Sequence, residues 1–131
     1  MDRDEEQWLQ GRPCHYCGMP ADTVDHVVPQ SLQSTARLAG HPEWIKEMVR
    51  ARLQTVACCQ QCNSVLGNRI FPTVADRRLA VKRYLRRKYQ RLLEAKPWTP
   101  VELEQLNGRL REYVEQRQRL RANVLERLAW R

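Results

Sequence analysis

The first half of the chain carries short apolar segments separated by cysteine-containing turns. A run of β-branched residues predicts a strand over 23–28, which ends at Pro29. Residues 31–53 have apolar side chains at helical spacing, with Pro42 at a suitable first helical position, and they predict a helical insertion. A second extended segment is predicted over 54–57. The two extended segments therefore flank the insertion.

The second half of the chain has the pattern of two long helices. The first is a cationic stretch over 73–95 that ends at Pro97, and a capping box formed by Thr99 and Glu102 predicts the start of the second. Apolar residues at a spacing of three or four, interrupted at Arg117, then form a stripe consisting of Leu103, Leu106, Leu110, Tyr113, Leu120 and Val124. The pattern predicts an antiparallel helical hairpin, or a helix whose stripe serves for dimerisation or for docking to an assembly. We accordingly predict two units, 1–72 and 73–131.

Composition places the chain among soluble folded proteins. Of its 131 residues, 42% are hydrophobic and 29% are charged, and no apolar run approaches the roughly 18 residues of a membrane span. The first ten residues are acidic and do not have the pattern of a signal peptide. We therefore expect a cytoplasmic protein with no membrane partner.

Charge is distributed unevenly along the sequence. Residues 1–66 contain 6 Lys/Arg and 8 Asp/Glu, whereas residues 67–131 contain 17 and 7. Such an asymmetry favours a nucleic-acid partner, although a solvated helical surface has the same composition. The candidate phosphate-binding cations are Arg69, Arg77, Arg78, Lys82, Arg83, Arg86, Arg87, Lys88 and Arg91. Contacts to phosphate carry no base information, so little sequence specificity is expected.

Four of the five cysteines form two C-x-x-C pairs, Cys14/Cys17 and Cys59/Cys62, separated by 41 residues. Two such pairs supply the four sulfur ligands that structural zinc prefers, whereas a redox dithiol needs only one pair. Such a site is closed, so its metal is expected to stabilise the fold and to do no chemistry. Cys58 is expected to be a buried additional cysteine, although a ligand set shifted to Cys58 is the alternative.

Between the two cysteine pairs lies an adjacent Asp25-His26, and Asn63 follows the second pair. Side chains of adjacent strand residues point to opposite faces, so Asp25 and His26 address different points. The oxygens of Asp25 and Asn63 suit a hard divalent cation such as Mg²⁺ or Mn²⁺. A neutral His26 suits proton abstraction from water. This set fits phosphodiester hydrolysis.

The order C-x-x-C, V-D-H-V-x-P and C-x-x-C-N resembles that of the HNH endonucleases of the ββα-metal (His-Me finger) superfamily, especially the small zinc-knuckle members of phages and bacteria. The resemblance covers about residues 12–70. It implies an α+β fold in which a β-hairpin and a helix hold one divalent metal. It also implies Asp25 and Asn63 as metal ligands, His26 as general base and DNA as the expected substrate.

The sequence departs from this family at Gln54. The family usually has an asparagine there, which orients the catalytic histidine, and glutamine makes a similar contact from one methylene further away. Three interpretations follow from the sequence: a metal-dependent HNH endonuclease, a catalytically inactive zinc-knuckle module for nucleic-acid binding or adaptor function, and a nuclease active only inside a phage or restriction assembly.

Overall fold

A computed structural model describes residues 2–27, 40, 42–43 and 55–131. The predicted insertion therefore lies almost entirely outside the described residues. Gln54 also lies outside them. The described elements are α1 (Arg3–Leu9), β1 (Thr23–His26), β2 (Thr55–Cys58), α2 (Gln60–Leu66), α3 (Val74–Lys88), α4 (Gln90–Glu94), α5 (Pro100–Glu104) and α6 (Gly108–Ala129).

Strands β1 and β2 form a two-stranded antiparallel sheet at the two predicted extended segments. Strand β1 is shorter than the predicted 23–28, and β2 is shifted by one residue from the predicted 54–57. Asp25 pairs with Val56, and His26 pairs with Thr55. Since side chains alternate across the pleat, Thr23 and Asp25 share one face of β1, and Val24 and His26 share the other. We call this two-stranded sheet the hairpin. The side chains of Asp25 and His26 therefore lie on opposite faces of the hairpin.

The hydrophobic core lies between the hairpin, α2 and α3. Its buried cluster consists of Cys14, Tyr16, Cys17, Cys58, Cys59, Cys62, Leu66, Val81 and Leu85. Residues on both sides of the predicted boundary at 72 therefore pack into the same cluster. Five of the nine members are cysteines, and eight partly buried hydrophobic residues pack around this cluster.

Each of the two predicted long helices has a break in the structure. The cationic stretch is interrupted at Tyr89, whose φ and ψ of −107° and 20° end α3 before α4 begins. The predicted capping box is confirmed at Thr99 and Glu102, but the helix that it starts ends at Glu104. Helix α6 begins anew at Gly108, which has a φ of +58° and follows Asn107. An Asn-Gly pair is a common signal for a turn, and glycine tolerates the positive φ that the chain adopts at this boundary.

Helix α6 packs against α3 and α4 through a face that differs from the predicted stripe. Its buried residues are Val114, Val124 and Arg127. Within the stripe, Leu110 and Tyr113 are 57% and 55% exposed, and only Val124 is buried. Three of the six stripe residues, Leu110, Tyr113 and Leu120, are therefore solvent-exposed.

The observed architecture is α+β, with helices around one small sheet, as predicted. Among the residues that the structure describes, no helix has both the length and the apolar character that a bilayer crossing requires.

Candidate metal centre and hydrolytic site

The side chains of Cys14, Cys17, Cys59 and Cys62 converge at one buried point, which we call the four-cysteine centre. Their sulfurs all lie within 4.8 Å of one another, and the Cys17 and Cys59 sulfurs are 3.7 Å apart. A tetrahedral zinc with Zn–S bonds of about 2.3 Å would place its sulfurs about 3.8 Å apart. A disulfide would require about 2.05 Å. The four cysteines can therefore hold a metal ion, and their spacing fits zinc.

Local backbone structure sets the positions of these sulfurs. Gly18 has a φ of +78°, and its N–H donates to the Cys14 carbonyl at 2.9 Å, which closes the turn around the first pair. The His15 N–H donates to the Ala57 carbonyl at 2.8 Å and ties this turn to β2. Cys59 is the N-cap residue of α2, so Cys62 lies in its first turn.

Cys58 is buried next to the four-cysteine centre but is not one of the four converging cysteines. Its thiol donates to the carbonyl of Cys59 at 3.2 Å. Cys58 is the last residue of β2, and the side chains of successive strand residues point to opposite faces. The Cys58 side chain therefore points in a different direction from that of Cys59. The four cysteines that converge are thus those of the predicted set with Cys59 and not of the set shifted to Cys58.

Asp25 lies at the centre of a buried polar network. Nη2 of Arg77 donates to both of its carboxylate oxygens, each at 2.8 Å, and the Tyr16 hydroxyl donates to Oδ2. Nε of Arg77 donates to the Tyr16 oxygen at 3.0 Å, and Nη1 donates to the Val27 carbonyl at 3.1 Å. Asp25 is 2% exposed and Arg77 is fully buried. The network joins α3 to the hairpin and to the first cysteine turn.

The network also explains the protonation states of its members. Burial raises the pKa of Tyr16 far above its usual value, and the Asp25 carboxylate raises it further. Burial alone would lower the pKa of Arg77, but Asp25 and then Tyr16 outweigh it, so the net direction is upward. Tyr16 therefore remains a hydrogen-bond donor, and Arg77 remains charged. A carboxylate has about four lone-pair sites, of which these contacts occupy three.

His26 lies on the opposite face of β1. Its side chain lines a cavity of about 330 Å³ together with Val24, Thr55 and the first helix. The residues that α1 and its N-cap contribute to this cavity are Asp2, Asp4, Glu5 and Trp8. The face of the hairpin that carries the predicted general base is therefore acidic.

Asn63 lies in α2 beside the face of β1 that carries Asp25. Its side-chain amide donates to the Thr23 hydroxyl at 3.5 Å. Thr23 is two residues from Asp25 and shares its face. The four-cysteine centre thus brings two predicted metal ligands, Asp25 and Asn63, to the same side of the hairpin, while His26 lies on the other side.

The predicted phosphate-binding cations fall into three groups. Arg77 has no exposed surface because it pairs with Asp25, so it cannot contact a phosphate. Arg78 is half-buried, and its Nη2 donates to the His15 carbonyl at 3.0 Å. Lys82 is also half-buried. The third group is exposed and consists of Arg69, Arg83, Arg86, Arg87, Lys88 and Arg91.

Four of these cations line one open cavity of about 720 Å³, which we call the arginine cleft. Its lining includes Arg69, Arg83, Arg86 and Arg87, with Phe71 among the apolar residues. The Arg69 guanidinium lies 5.2 Å from the centre of the Phe71 ring, and that of Arg77 lies 5.6 Å from it. Phe71 therefore contacts both the cleft and the buried arginine that holds Asp25, so the cleft adjoins the candidate site.

Sequence reasoning missed three residues that organise the site. Tyr16 lies inside the first C-x-x-C pair, where its aromatic character was a usable signal for burial. Arg127 and Trp130 lie at the end of α6 and contact the cysteine turns. A distance of 66 to 115 residues along the chain separates the partners of these contacts, so no local pattern indicates them.

Comparison of the chain with protein-family models, with curated proteins and with solved structures finds no match.

Proposed function

We propose that this protein is a metal-dependent endonuclease of the HNH type, with a structural zinc in the four-cysteine centre. The observation that carries the proposal is the succession of β1, β2 and α2 around that centre, with Asp25 and the Asn63 amide on one side of the hairpin. The hairpin, the helix and the candidate ligands follow one another in the order expected for the ββα-metal fold. The sequence motifs resemble those of proteins with that fold. Zinc in this role stabilises the scaffold and leaves the hydrolytic chemistry to other groups.

In the proposed reaction, His26 accepts a proton from the water that attacks phosphorus. Because His26 ends β1 and lies on the opposite face from Asp25, this requires the phosphate to bind at the end of the strand, where both side chains can reach it. Asp25 and Asn63 supply oxygen ligands for Mg²⁺ or Mn²⁺, which would neutralise charge on the phosphate and on the departing oxygen. Arg77 holds both oxygens of Asp25, so the carboxylate can bind a cation only by sharing or releasing that contact. We therefore infer weak metal binding in the absence of nucleic acid.

Nucleic acid is the proposed substrate, because the arginine cleft adjoins Asp25 through Phe71 and Arg77. Guanidinium groups bind phosphate oxygens in a bidentate manner, and several of them along one helix follow a phosphate backbone. The aromatic ring among them suits contact with a base or sugar. DNA is the nucleic acid we propose.

We expect the Arg83→Gln/Arg87→Gln double variant to bind duplex DNA more weakly and with a shallower salt dependence. Each lost phosphate contact removes about 0.9 from the slope of log K against log salt concentration, so the slope should fall by about 1–2. Fluorescence anisotropy between low and physiological salt measures it. The matched control is Arg109→Gln/Arg119→Gln, which removes two exposed charges from α6 outside the cleft. An equal decrease of the slope in both variants would exclude the cleft as the binding site.

We expect zinc-loaded protein to cut supercoiled plasmid only when Mg²⁺ or Mn²⁺ is added, and His26→Ala to lose at least about 100-fold of this rate, as removal of a general base typically does. His26 lies across the hairpin from the buried Asp25 network, so its truncation tests the chemistry rather than the ion pair. His15→Ala removes another histidine side chain and is the control. Equal cutting by His26→Ala and wild type would disprove the assigned role.

One observation favours a second candidate, a zinc-stabilised module that binds nucleic acid without cutting it. The Asp25 carboxylate is buried and held by a guanidinium, which is a structural use of the residue. In that case, the protein would bind DNA through the arginine cleft with the same salt dependence. Plasmid would remain uncut with either metal.

A further inference from the structure

The C-terminal end of α6 covers the first cysteine turn. Trp130 Nε1 donates to the His15 carbonyl at 3.2 Å. Its indole ring lies so close to Gly18 that a Cβ at that position would come within 2.6 Å of it. The Asn123 amide contacts the Met19 sulfur at 3.3 Å. The end of α6 is therefore packed directly against the turn that carries two of the four cysteines.

The same end of α6 reaches the second cysteine turn through Arg127. Its Nη2 donates to the Gln61 side-chain oxygen at 2.6 Å, and Gln61 lies between Cys59 and Cys62. Arg127 is only 5% exposed, and its Nε has no hydrogen-bond partner within the described part of the chain. A buried guanidinium with an unpaired N–H is costly unless an anion lies beside it.

The four-cysteine centre offers such an anion, because the Gln61 side chain that Arg127 contacts lies between two of its cysteines. Four thiolates around a divalent zinc carry about two negative charges in excess. Such a centre is buried here, so a cation next to it offsets part of the desolvation cost.

We propose that Arg127 is the counter-ion of the four-cysteine metal centre and that the end of α6 is a cover that retains the metal. Arg127 thus serves the metal site and is not part of the nucleic-acid interface. The inference rests on the proposed structural zinc and is independent of the nuclease activity. It assigns a role to a helix that lies outside the segment resembling HNH nucleases.

The test is the rate at which zinc leaves the full-length protein for a chromogenic chelator. We expect Arg127→Gln to release zinc about 10–100-fold faster than wild type, the range typical of lost outer-shell partners. Arg127→Lys keeps the charge and should release zinc close to the wild-type rate. Arg119→Gln removes one exposed charge from the same helix and should have no effect. Alkylation of the cysteines by iodoacetamide should follow the same order among the variants.

Release from Arg127→Gln at the wild-type rate would overturn the inference while leaving the zinc centre intact. Equal acceleration in Arg127→Lys and Arg127→Gln would also overturn it, because packing rather than charge would then retain the metal. Should Arg127→Gln not fold, the lysine variant alone decides, since fast release despite its charge contradicts a counter-ion. A wild-type protein that holds no zinc would refute both the proposed zinc centre and the inference.

Discussion

Removal of the metal from the four-cysteine centre is expected to abolish the cooperative unfolding transition of the protein. Five of the nine residues in the central buried cluster are cysteines, so without the metal this cluster retains only Tyr16, Leu66, Val81 and Leu85 as its non-cysteine members. Zinc binding to such sites contributes about 10–16 kcal/mol at neutral pH. The net stability of a whole domain is only about 5–15 kcal/mol. The apo-protein should therefore lose the hairpin and α2.

Circular dichroism and tryptophan fluorescence during a thermal scan, with and without a strong chelator, measure this effect. Readdition of zinc should restore the transition. The matched pair of variants is Cys62→Ala and Cys58→Ala, because both residues are buried but only Cys62 belongs to the four-cysteine centre. We expect one zinc per chain in Cys58→Ala and loss of zinc to the chelator in Cys62→Ala. The reverse result would assign the ligand to Cys58.

Local patterns in the sequence predicted those parts of the fold that depend on neighbouring residues. The capping box at Thr99 and Glu102 needs only four consecutive positions, and it is present. The two cysteine pairs needed only their own spacing to indicate a metal centre, and the four sulfurs converge. The break before Gly108 had a usable signal in Asn107-Gly108, but the apolar stripe on either side suggested one continuous helix.

The parts that could not be predicted depend on partners distant in sequence. Arg77 belonged by composition to a run of phosphate-binding cations, and arginine is rarely buried without a partner. Its partner is Asp25, 52 residues away, and nothing local distinguishes Arg77 from its exposed neighbour Arg83. Tertiary packing therefore decides which cations of α3 are exposed and so available to the proposed nucleic-acid partner. It also decides that Asp25 is buried.

Replacement of either member of the Asp25–Arg77 pair is expected to cost about 3–5 kcal/mol of unfolding free energy, the range for breaking a buried ion pair. For a chain of this size, that decreases the midpoint of thermal unfolding by roughly 10–20 °C. Asp25→Asn leaves a buried guanidinium without its counter-charge, and Arg77→Met leaves a buried carboxylate in the same state. The unpaired charge, rather than the lost attraction, accounts for most of the cost.

The double variant Asp25→Asn/Arg77→Met tests this explanation. Because it buries no unpaired charge, we expect it to be about 1–3 kcal/mol more stable than the sum of the two single effects predicts, the usual coupling between contacting residues. Urea unfolding of the zinc-loaded proteins gives the four free energies. The exposed pair Arg111–Glu115, with side chains 46% and 37% exposed, is the control and should give less than about 0.5 kcal/mol. If the losses of unfolding free energy at Asp25 and Arg77 simply added, neither charge would depend on the other for its stability. Asp25 would then be available to bind a divalent metal without displacing Arg77.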